Sequence, residues 1–208
     1  MERTLLCFGD SNTWGYNPAG GTRYERIFRW PGILSSLLGP GWNVIEEGLN
    51  GRTTVFSDPL QKHRRGMDAL EMLLETHAPL DAVIIMLGTN DAKARFSATP
   101  LDIAMGWNML AKTVKNSSAG HEEKAPQLLL VCPPPVLNVA GLTETFSGAP
   151  AKSIRFSELC RNVAAELGCY FLDAGTIIAA DPSDGIHLSA ESHKKLAHAI
   201  YAIFKKLT

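Results

Sequence analysis

Five short apolar runs alternate along the chain with longer segments in which apolar residues recur at a helical spacing. The short runs are rich in Val, Ile and Leu and lack strict alternation with polar residues, which is typical of strands buried on both faces. The predicted strands are residues 4–8, 43–46, 82–87, 127–132 and 169–172. The predicted helices, each with one apolar face, are residues 30–38, 66–77, 101–114, 151–167 and 190–207.

This alternation predicts an α/β protein in which helices cover both faces of a parallel sheet. Right-handed crossovers and short connections favour a three-layer α/β/α, flavodoxin-like arrangement with strand order 2-1-3-4-5. The 208 residues, 45% of them hydrophobic, suit one domain spanning 1–208, with one core that buries roughly 70% of the unfolded surface. Segments 12–29 and 52–65 are too long for simple connectors, and we expect them to cover a site or an interface.

Charge and cysteine content narrow the function classes. Twenty basic and 21 acidic residues leave a net charge of -1 with no long run of one sign, which argues against a nucleic-acid partner. Apolar runs stay shorter than a membrane span, and the first strand follows the amino terminus too closely for a signal peptide. Four cysteines without a C-x-x-C pair indicate reduced thiols and a cytoplasmic protein: Cys7, Cys132, Cys160 and Cys169.

Small and polar residues follow four of the five predicted strands. In open parallel sheets, ligands bind beyond the carboxyl ends of the strands, where the strand order reverses. The predicted order places strands 1 and 3 at that reversal, so Ser11 and Asn90 should face each other across a crevice. Each segment alone is ordinary turn or cap chemistry, and their coincidence on one edge is what predicts a site. The segments are "GDSN", "EGLNGRTT", "LGTND" and "DPSDGIHLS".

The residue types in these segments match the needs of acyl transfer. A serine hydroxyl becomes a nucleophile when an imidazole accepts its proton, and a carboxylate must orient that imidazole. Ser11 and His187 fit the first two roles. Asp181 and Asp184 both precede the histidine, and the turn expected at Gly185 favours Asp184 as the partner.

Three donors are candidates for the oxyanion hole: the backbone N–H groups of Ser11 and Gly51, and the side-chain amide of Asn90. Gly51 suits this role because an N–H without a neighbouring side chain approaches a substrate closely. The histidines show no metal-binding pattern and the chain has no nucleotide-binding glycine motif, so we expect neither a metal nor any other cofactor. We assign four further residues to the substrate pocket: Asp10, Asn12, Trp14 and Asn50.

Together the four segments resemble the SGNH (GDSL-type) hydrolases. "GDSN" is similar to the nucleophile block, Gly51 to the glycine block, "GTND" to the asparagine block and "DGIH" to the D-x-x-H block, in family order. The similarity is closer to the arylesterase and acyltransferase branch, through "CFGDSNTWGY", "VIEEGLNGRTT", "VIIMLGTND" and "TPLDIAMG". Asn12 departs from the leucine of the family block, at a position that bears on acyl preference.

The resemblance implies the SGNH-hydrolase fold and a serine esterase that acts on short-chain, acetyl-type esters, with transfer of the acyl group to alcohols or peroxide. It also implies a homo-oligomer in which the 52–65 loop narrows the pocket mouth. Within the same chemistry, the alternative is deacetylation of acylated sugars. A different class is a flavodoxin-like module that binds a small ligand, although such a module has no need of an Asp-x-x-His before its last helix.

Overall fold

The computed structural model describes residues 2–140 and 142–205 and contains an all-parallel five-stranded sheet. Its order, β2-β1-β3-β4-β5, confirms the predicted topology. The order reverses between β1 and β3, because β1 pairs with β2 on one side and with β3 on the other. The strands are β1 (Arg3–Gly9), β2 (Trp42–Gly48), β3 (Ala82–Met86), β4 (Gln127–Cys132) and β5 (Tyr170–Asp173), each close to its predicted position.

Helices of the described chain flank this sheet, and most agree with the sequence pattern. The prediction of one helix over 151–167 is wrong, because the segment forms two helices. The hydroxyl of Ser153 ends the first of them, donating to Pro150 O and accepting from the backbone N–H of Val136 after β4. The helices are α1 (Ser11–Trp14), α2 (Trp30–Leu38), α3 (Gly66–Thr76), α4 (Pro100–Lys115), α5 (Ala149–Ser153), α6 (Phe156–Leu167) and α7 (Ala190–Phe204).

The short helix α1 was not predicted, since four residues carry no measurable apolar period. The expected end of the last helix, at 207, falls outside the described residues. Among the helices described, none is long and apolar enough to cross a membrane.

The core lies on both faces of the sheet, which explains why the strands read as continuous apolar runs. One face packs Leu6, Phe8 and Ile85 against α3, α4 and α6. The other packs Leu5 and Ile84 against α2 and α7. Each fully buried side chain of this size contributes about 1.5–3 kcal/mol to folding. Burial on both faces therefore holds the strand ends, and the loops that leave them, in a rigid frame.

The carboxyl ends of the first three strands lie level with one another. Gly9 of β1 pairs with Gly48 of β2 and with Met86 of β3. The loops that follow therefore leave the same edge side by side. Gly48 is needed for this arrangement because α1 passes directly over it: a Cβ at residue 48 would lie 2.1 Å from the backbone N of Trp14.

Candidate active site

The loop after β1 turns at once into α1, which holds the hydroxyl of Ser11 at its first position. Asp10 caps this helix, with a carboxylate that accepts a hydrogen bond from the backbone N–H of Asn12 at 2.9 Å. The helix ends after one turn at Gly15, whose φ of 89° lies in the left-handed region. The cap and turn expected of this segment are therefore present, and they hold a serine at the edge of the sheet.

The structure brings Ser11 and His187 together although they are 176 residues apart in the chain. His187 Nε2 lies 3.0 Å from Ser11 Oγ. On the other side of the ring, His187 Nδ1 lies 2.6 Å from Asp184 Oδ2. A hydroxyl, an imidazole and a carboxylate thus form one continuous hydrogen-bonded chain, the arrangement that a serine nucleophile requires.

Asp184, rather than Asp181, is the carboxylate in contact with the histidine. Its second oxygen, Oδ1, accepts from the backbone N–H groups of Ile186 and His187 at 2.8 and 2.9 Å. Burial raises the pKa of Asp184, but the hydrogen bonds from the imidazole and from these backbone N–H groups outweigh it and hold the pKa below its usual value. Asp181 instead accepts from the N–H and hydroxyl of Ser183 at 2.9 and 2.6 Å.

Two further side chains contact the segment that carries His187. The ring of Tyr16 stacks on the imidazole, with centroids 4.1 Å apart and an interplanar angle of 30°. The amide of Asn12 donates to Ile186 O at 3.3 Å and accepts from Leu188 N at 3.1 Å. Asn12 is 1% exposed, so the structure corrects its assignment to the pocket: its polar atoms face the histidine segment.

The side-chain amide of Asn90 contacts the residues next to the other two candidate donors, Asp10 beside Ser11 and Arg52 beside Gly51. Asn90 Nδ2 donates to Arg52 O at 3.1 Å and reaches Asp10 Oδ2 only at 3.4 Å. The backbone N–H groups of Ser11 and Gly51 donate to no residue in the part of the chain that the structure describes. Gly51 has φ of 81°, a conformation in which a side chain would be strained.

Asp10 lies beneath these donors and differs from its predicted role. Its side chain is buried and bonded within the protein, so it supports Asn90 and α1 and does not line an open pocket. Burial raises the pKa of Asp10 to about 6, against the hydrogen bond from Asn12 and the lowering effect of the nearby basic side chains of His187, Arg52 and Lys93.

Sequence reasoning missed the importance of Arg52, although it lies within the quoted "GLNGRTT". Its Nη1 donates to Gly9 O at 2.9 Å and also to Glu47 O, and its guanidinium lies 4.3 Å from the ring centroid of Phe8. Burial lowers the pKa of Arg52 to about 10, against the opposing effect of Glu47 and Asp10. Arg52 thus ties the ends of β1 and β2 together.

Asp91 also bridges two loops. Its place in "GTND" was the only sequence signal for it, and no pattern predicted this role. It is fully buried, and its carboxylate accepts from Thr54 N at 3.0 and 3.1 Å and from the Thr54 hydroxyl. These bonds join the loop after β3 to the loop that carries Gly51. Burial raises the pKa of Asp91 to about 6 despite the hydrogen bonds from Thr54.

Trp14 and Asn50, the other residues assigned to the pocket, are both partly accessible. The Arg23 guanidinium lies 4.9 Å from the Trp14 ring centroid, and Arg23 Nε donates to Trp14 O at 2.8 Å. Asn50 Oδ1 has no hydrogen-bond partner among the described residues. Across residues 2–140 and 142–205, no group of three or more His, Cys, Asp or Glu side chains is placed to hold a metal ion.

Comparison with known proteins identifies the family of this chain. The model of the GDSL-like lipase/acylhydrolase family matches residues 7–195. A search of the curated proteins finds no similar sequence.

Several solved structures are similar over the whole chain. Est24, a carbohydrate acetylesterase from Sinorhizobium meliloti, is 40% identical with a TM-score of 0.94, and the match covers 100% of both chains. The native aryl esterase of M. smegmatis is 39% identical with a TM-score of 0.94, covering 99% of this chain and 100% of that one. A lipolytic protein of the G-D-S-L family from Veillonella parvula, 15% identical with a TM-score of 0.71 over 98% of both chains, shares the fold.

Two observations lead to one conclusion: a serine, a histidine and an aspartate are hydrogen-bonded in one chain, and the family model matches most of the sequence. The chain belongs to the GDSL-like lipase/acylhydrolase (SGNH) family and is a serine carboxylic ester hydrolase.

Proposed function

We propose that the protein hydrolyses short-chain, acetyl-type esters through an acyl-enzyme formed on Ser11. In this proposal His187 is the general base and Asp184 orients it. The observation that carries the proposal is the unbroken chain of hydrogen bonds from Ser11 Oγ through His187 to Asp184, 3.0 and 2.6 Å long. It lies beside backbone N–H groups that have no partner among the described residues.

Formation of the acyl-enzyme follows from this geometry. Asp184 keeps the proton of the neutral imidazole on Nδ1, so Nε2 has a free lone pair directed at Ser11. As Ser11 Oγ attacks the ester carbonyl carbon, its proton moves to Nε2 and the carbonyl oxygen becomes an anion. The N–H groups of Ser11 and Gly51 and the amide of Asn90 receive this charge. Each such donor is worth about 3–4 kcal/mol in the transition state.

The tetrahedral intermediate then collapses. The bond to the alcohol oxygen breaks, and that oxygen takes the proton from His187 Nε2 as it leaves. In the second half, water gives its proton to the same nitrogen and attacks the acyl carbon, which releases the acid and restores the Ser11 hydroxyl. An alcohol or hydrogen peroxide in place of water gives acyl transfer by the same steps.

The surroundings of Gly51 and Ser11 support small acyl groups. The side chain of Gln61, from the 52–65 loop, folds back over Gly51, so that a Cβ at residue 51 would lie 2.5 Å from Gln61 Oε1. Trp14 and Tyr16 lie in the segment that follows the nucleophile, and Tyr16 stacks on the imidazole. A mouth bounded by these side chains favours an acetyl group over longer chains.

Replacement of Ser11 tests the proposal. Ser11→Ala should abolish turnover of p-nitrophenyl acetate and labelling by a fluorophosphonate, with unchanged circular dichroism. Ser36→Ala is the matched control, because Ser36 is exposed and, within the described residues, its hydroxyl bonds only to Gly32 O of α2. This variant should keep the wild-type rate and labelling. A Ser11→Ala protein that still turns over the ester near the wild-type rate would refute the assignment.

Deacetylation of sugars is the second candidate, favoured by the 40% identity to Est24, a carbohydrate acetylesterase. The two substrates are distinguished by kcat/KM for acetylated xylose and for p-nitrophenyl acetate, measured beside a p-nitrophenyl ester of a longer acid. A higher value for the sugar ester would favour the second candidate. Equal values for the long and the short aryl esters would contradict the proposed acetyl preference.

We also propose that the protein is cytoplasmic and forms a homo-oligomer. The four cysteines are free, and Cys7, Cys132 and Cys160 are buried in the core, which suits a reducing compartment. On α4, Leu101, Met105 and Met109 form an exposed apolar stripe at a helical spacing, as expected of a surface covered in an assembly. Light scattering after size-exclusion chromatography tests the assembly, and a monomer at micromolar concentration would contradict it.

A further inference from the structure

One amide joins the helix that carries the nucleophile to the segment that carries the base. Asn12 Nδ2 donates to the carbonyl of Ile186, and Asn12 Oδ1 accepts from the N–H of Leu188. The two contacts therefore hold the backbone immediately before and immediately after His187. The side chain is 1% exposed, so water does not compete for these hydrogen bonds.

The hydrogen bonds made by Asp184 do not set the distance between the histidine and the serine. They run to His187 Nδ1 and to the backbone of Ile186 and His187, two and three residues away in the same segment. They fix the ring relative to its own loop. Among the residues described, α1 is hydrogen-bonded to residues 184–189 only through Asn12 and through the Ser11–His187 pair itself.

We propose that Asn12 is a positioning residue for catalysis, which sets the 3.0 Å separation of His187 Nε2 and Ser11 Oγ. The inference rests on the proposed roles of Ser11 and His187. Asn12 is anchored on the serine side as well, since its own N–H donates to the Asp10 carboxylate at 2.9 Å. A rigid link runs from the cap of α1 through one side chain to the two peptide groups that flank the base.

Asn12→Leu tests the inference because leucine has the same number of side-chain heavy atoms and the same branching but forms neither hydrogen bond. A misplacement of about 1 Å lowers catalysis roughly 100-fold, so kcat for p-nitrophenyl acetate should fall roughly 10- to 100-fold. KM should change little, because the Asn12 side chain is buried and its polar atoms are bonded to the histidine segment. Thr13→Val is the matched control: Thr13 is the buried neighbour in α1, and its hydroxyl has no partner in the described residues. It should keep the wild-type kcat.

Measurements in a His187→Ala protein separate positioning of the imidazole from a general effect on the fold. If Asn12 acts through the imidazole, then Asn12→Leu should leave the residual rate of a His187→Ala protein nearly unchanged. Thermal unfolding of each variant shows whether the fold is intact. If Asn12→Leu does not fold, Asn12→Asp takes its place in the same cycle. Aspartate has the same shape and accepts from Leu188 N–H, but its carboxylate has no proton for Ile186 O, so we expect kcat to fall in this variant as well.

Two outcomes would overturn the inference: a folded Asn12→Leu protein with wild-type kcat, or a loss that is equally large with and without His187. If Asn12→Asp is used in place of Asn12→Leu, the same two outcomes would overturn the inference. The Ser11→Ala protein, measured alongside, separates this failure from failure of the proposed function. An active Ser11→Ala protein removes the proposed mechanism, whereas an inactive one with an unaffected Asn12 variant removes only the positioning role.

Discussion

Replacing Asp184 by asparagine should move one proton of the candidate site from Nδ1 to Nε2 of His187. Asp184 Oδ1 accepts from two backbone N–H groups, and Oδ2 faces His187 Nδ1. An asparagine in this place has one oxygen, which the two backbone donors will hold. Its NH₂ group must then face His187 Nδ1, which can only accept. The imidazole proton moves to Nε2, opposite Ser11, and the base loses the lone pair that it needs.

The expected loss is large although the atoms barely move. A histidine locked in the wrong tautomer lowers kcat by about 10⁴, which corresponds to about 5.4 kcal/mol of activation free energy at 1.36 kcal/mol for each factor of ten. Asp184→Ala removes the carboxylate without forcing a tautomer. A fraction of its molecules keeps the proton on Nδ1, so we expect Asp184→Ala to retain at least as much activity as Asp184→Asn.

The assay is kcat for p-nitrophenyl acetate, with Asp181→Asn as the matched control. Asp181 lies three residues earlier and bonds to Ser183, not to the imidazole, so this variant should keep the wild-type kcat within a small factor. An Asp184→Asn protein with kcat within tenfold of wild type would refute the reasoning. An equal loss in Asp181→Asn would show that the carboxylate was wrongly assigned.

Other predictions concern the donors and the buried acids. Asn90→Ala should lower kcat by roughly 10²- to 10³-fold, and a pre-steady-state measurement showing an unchanged acylation rate would remove it from the oxyanion hole. The pKa of Asp91 is raised from 3.8 to about 6, so its contribution to stability is complete below pH 4 and lost as the pH rises to 6. Urea titrations of the wild type and of Asp91→Asn give the difference between their free energies of unfolding. This difference should fall as the pH rises from about 4 to about 6, and a constant difference would contradict the raised pKa of Asp91. Gly48→Ala should lower both Tm and activity, since its Cβ would lie 2.1 Å from Trp14 N, and a variant with wild-type Tm would show that α1 adapts.

The order of strands and helices was predictable because it depends on local periodicity. The strands are buried on both faces, and such burial demands continuous apolar runs that are visible without coordinates. Helix α2 follows its pattern from end to end. The break between α5 and α6 was not predictable, because it coincides with a hydrogen bond between Ser153 and Val136, 17 residues earlier, where the apolar period is uninterrupted.

In the candidate site, too, some features were predictable from the sequence and others were not. The motifs identified Ser11, His187, Gly51 and Asn90 because reaction chemistry restricts the residue types that can serve. Sequence reasoning placed Asn12 in the pocket, whereas its amide holds the histidine segment. Nothing local distinguishes an asparagine that faces a substrate from one that faces a neighbouring loop.

By itself, the sequence determined the α/β class and the strand order, and it named a set of candidate residues for ester hydrolysis. These depend on apolar spacing and on side-chain chemistry, both of which are local. Only the tertiary structure decided that Arg52 ties two strand ends, that Asp91 joins two loops and that Asn12 links α1 to the base. Those contacts span up to 176 residues, and each depends on the register of the sheet and on the path of loops whose composition does not specify a partner.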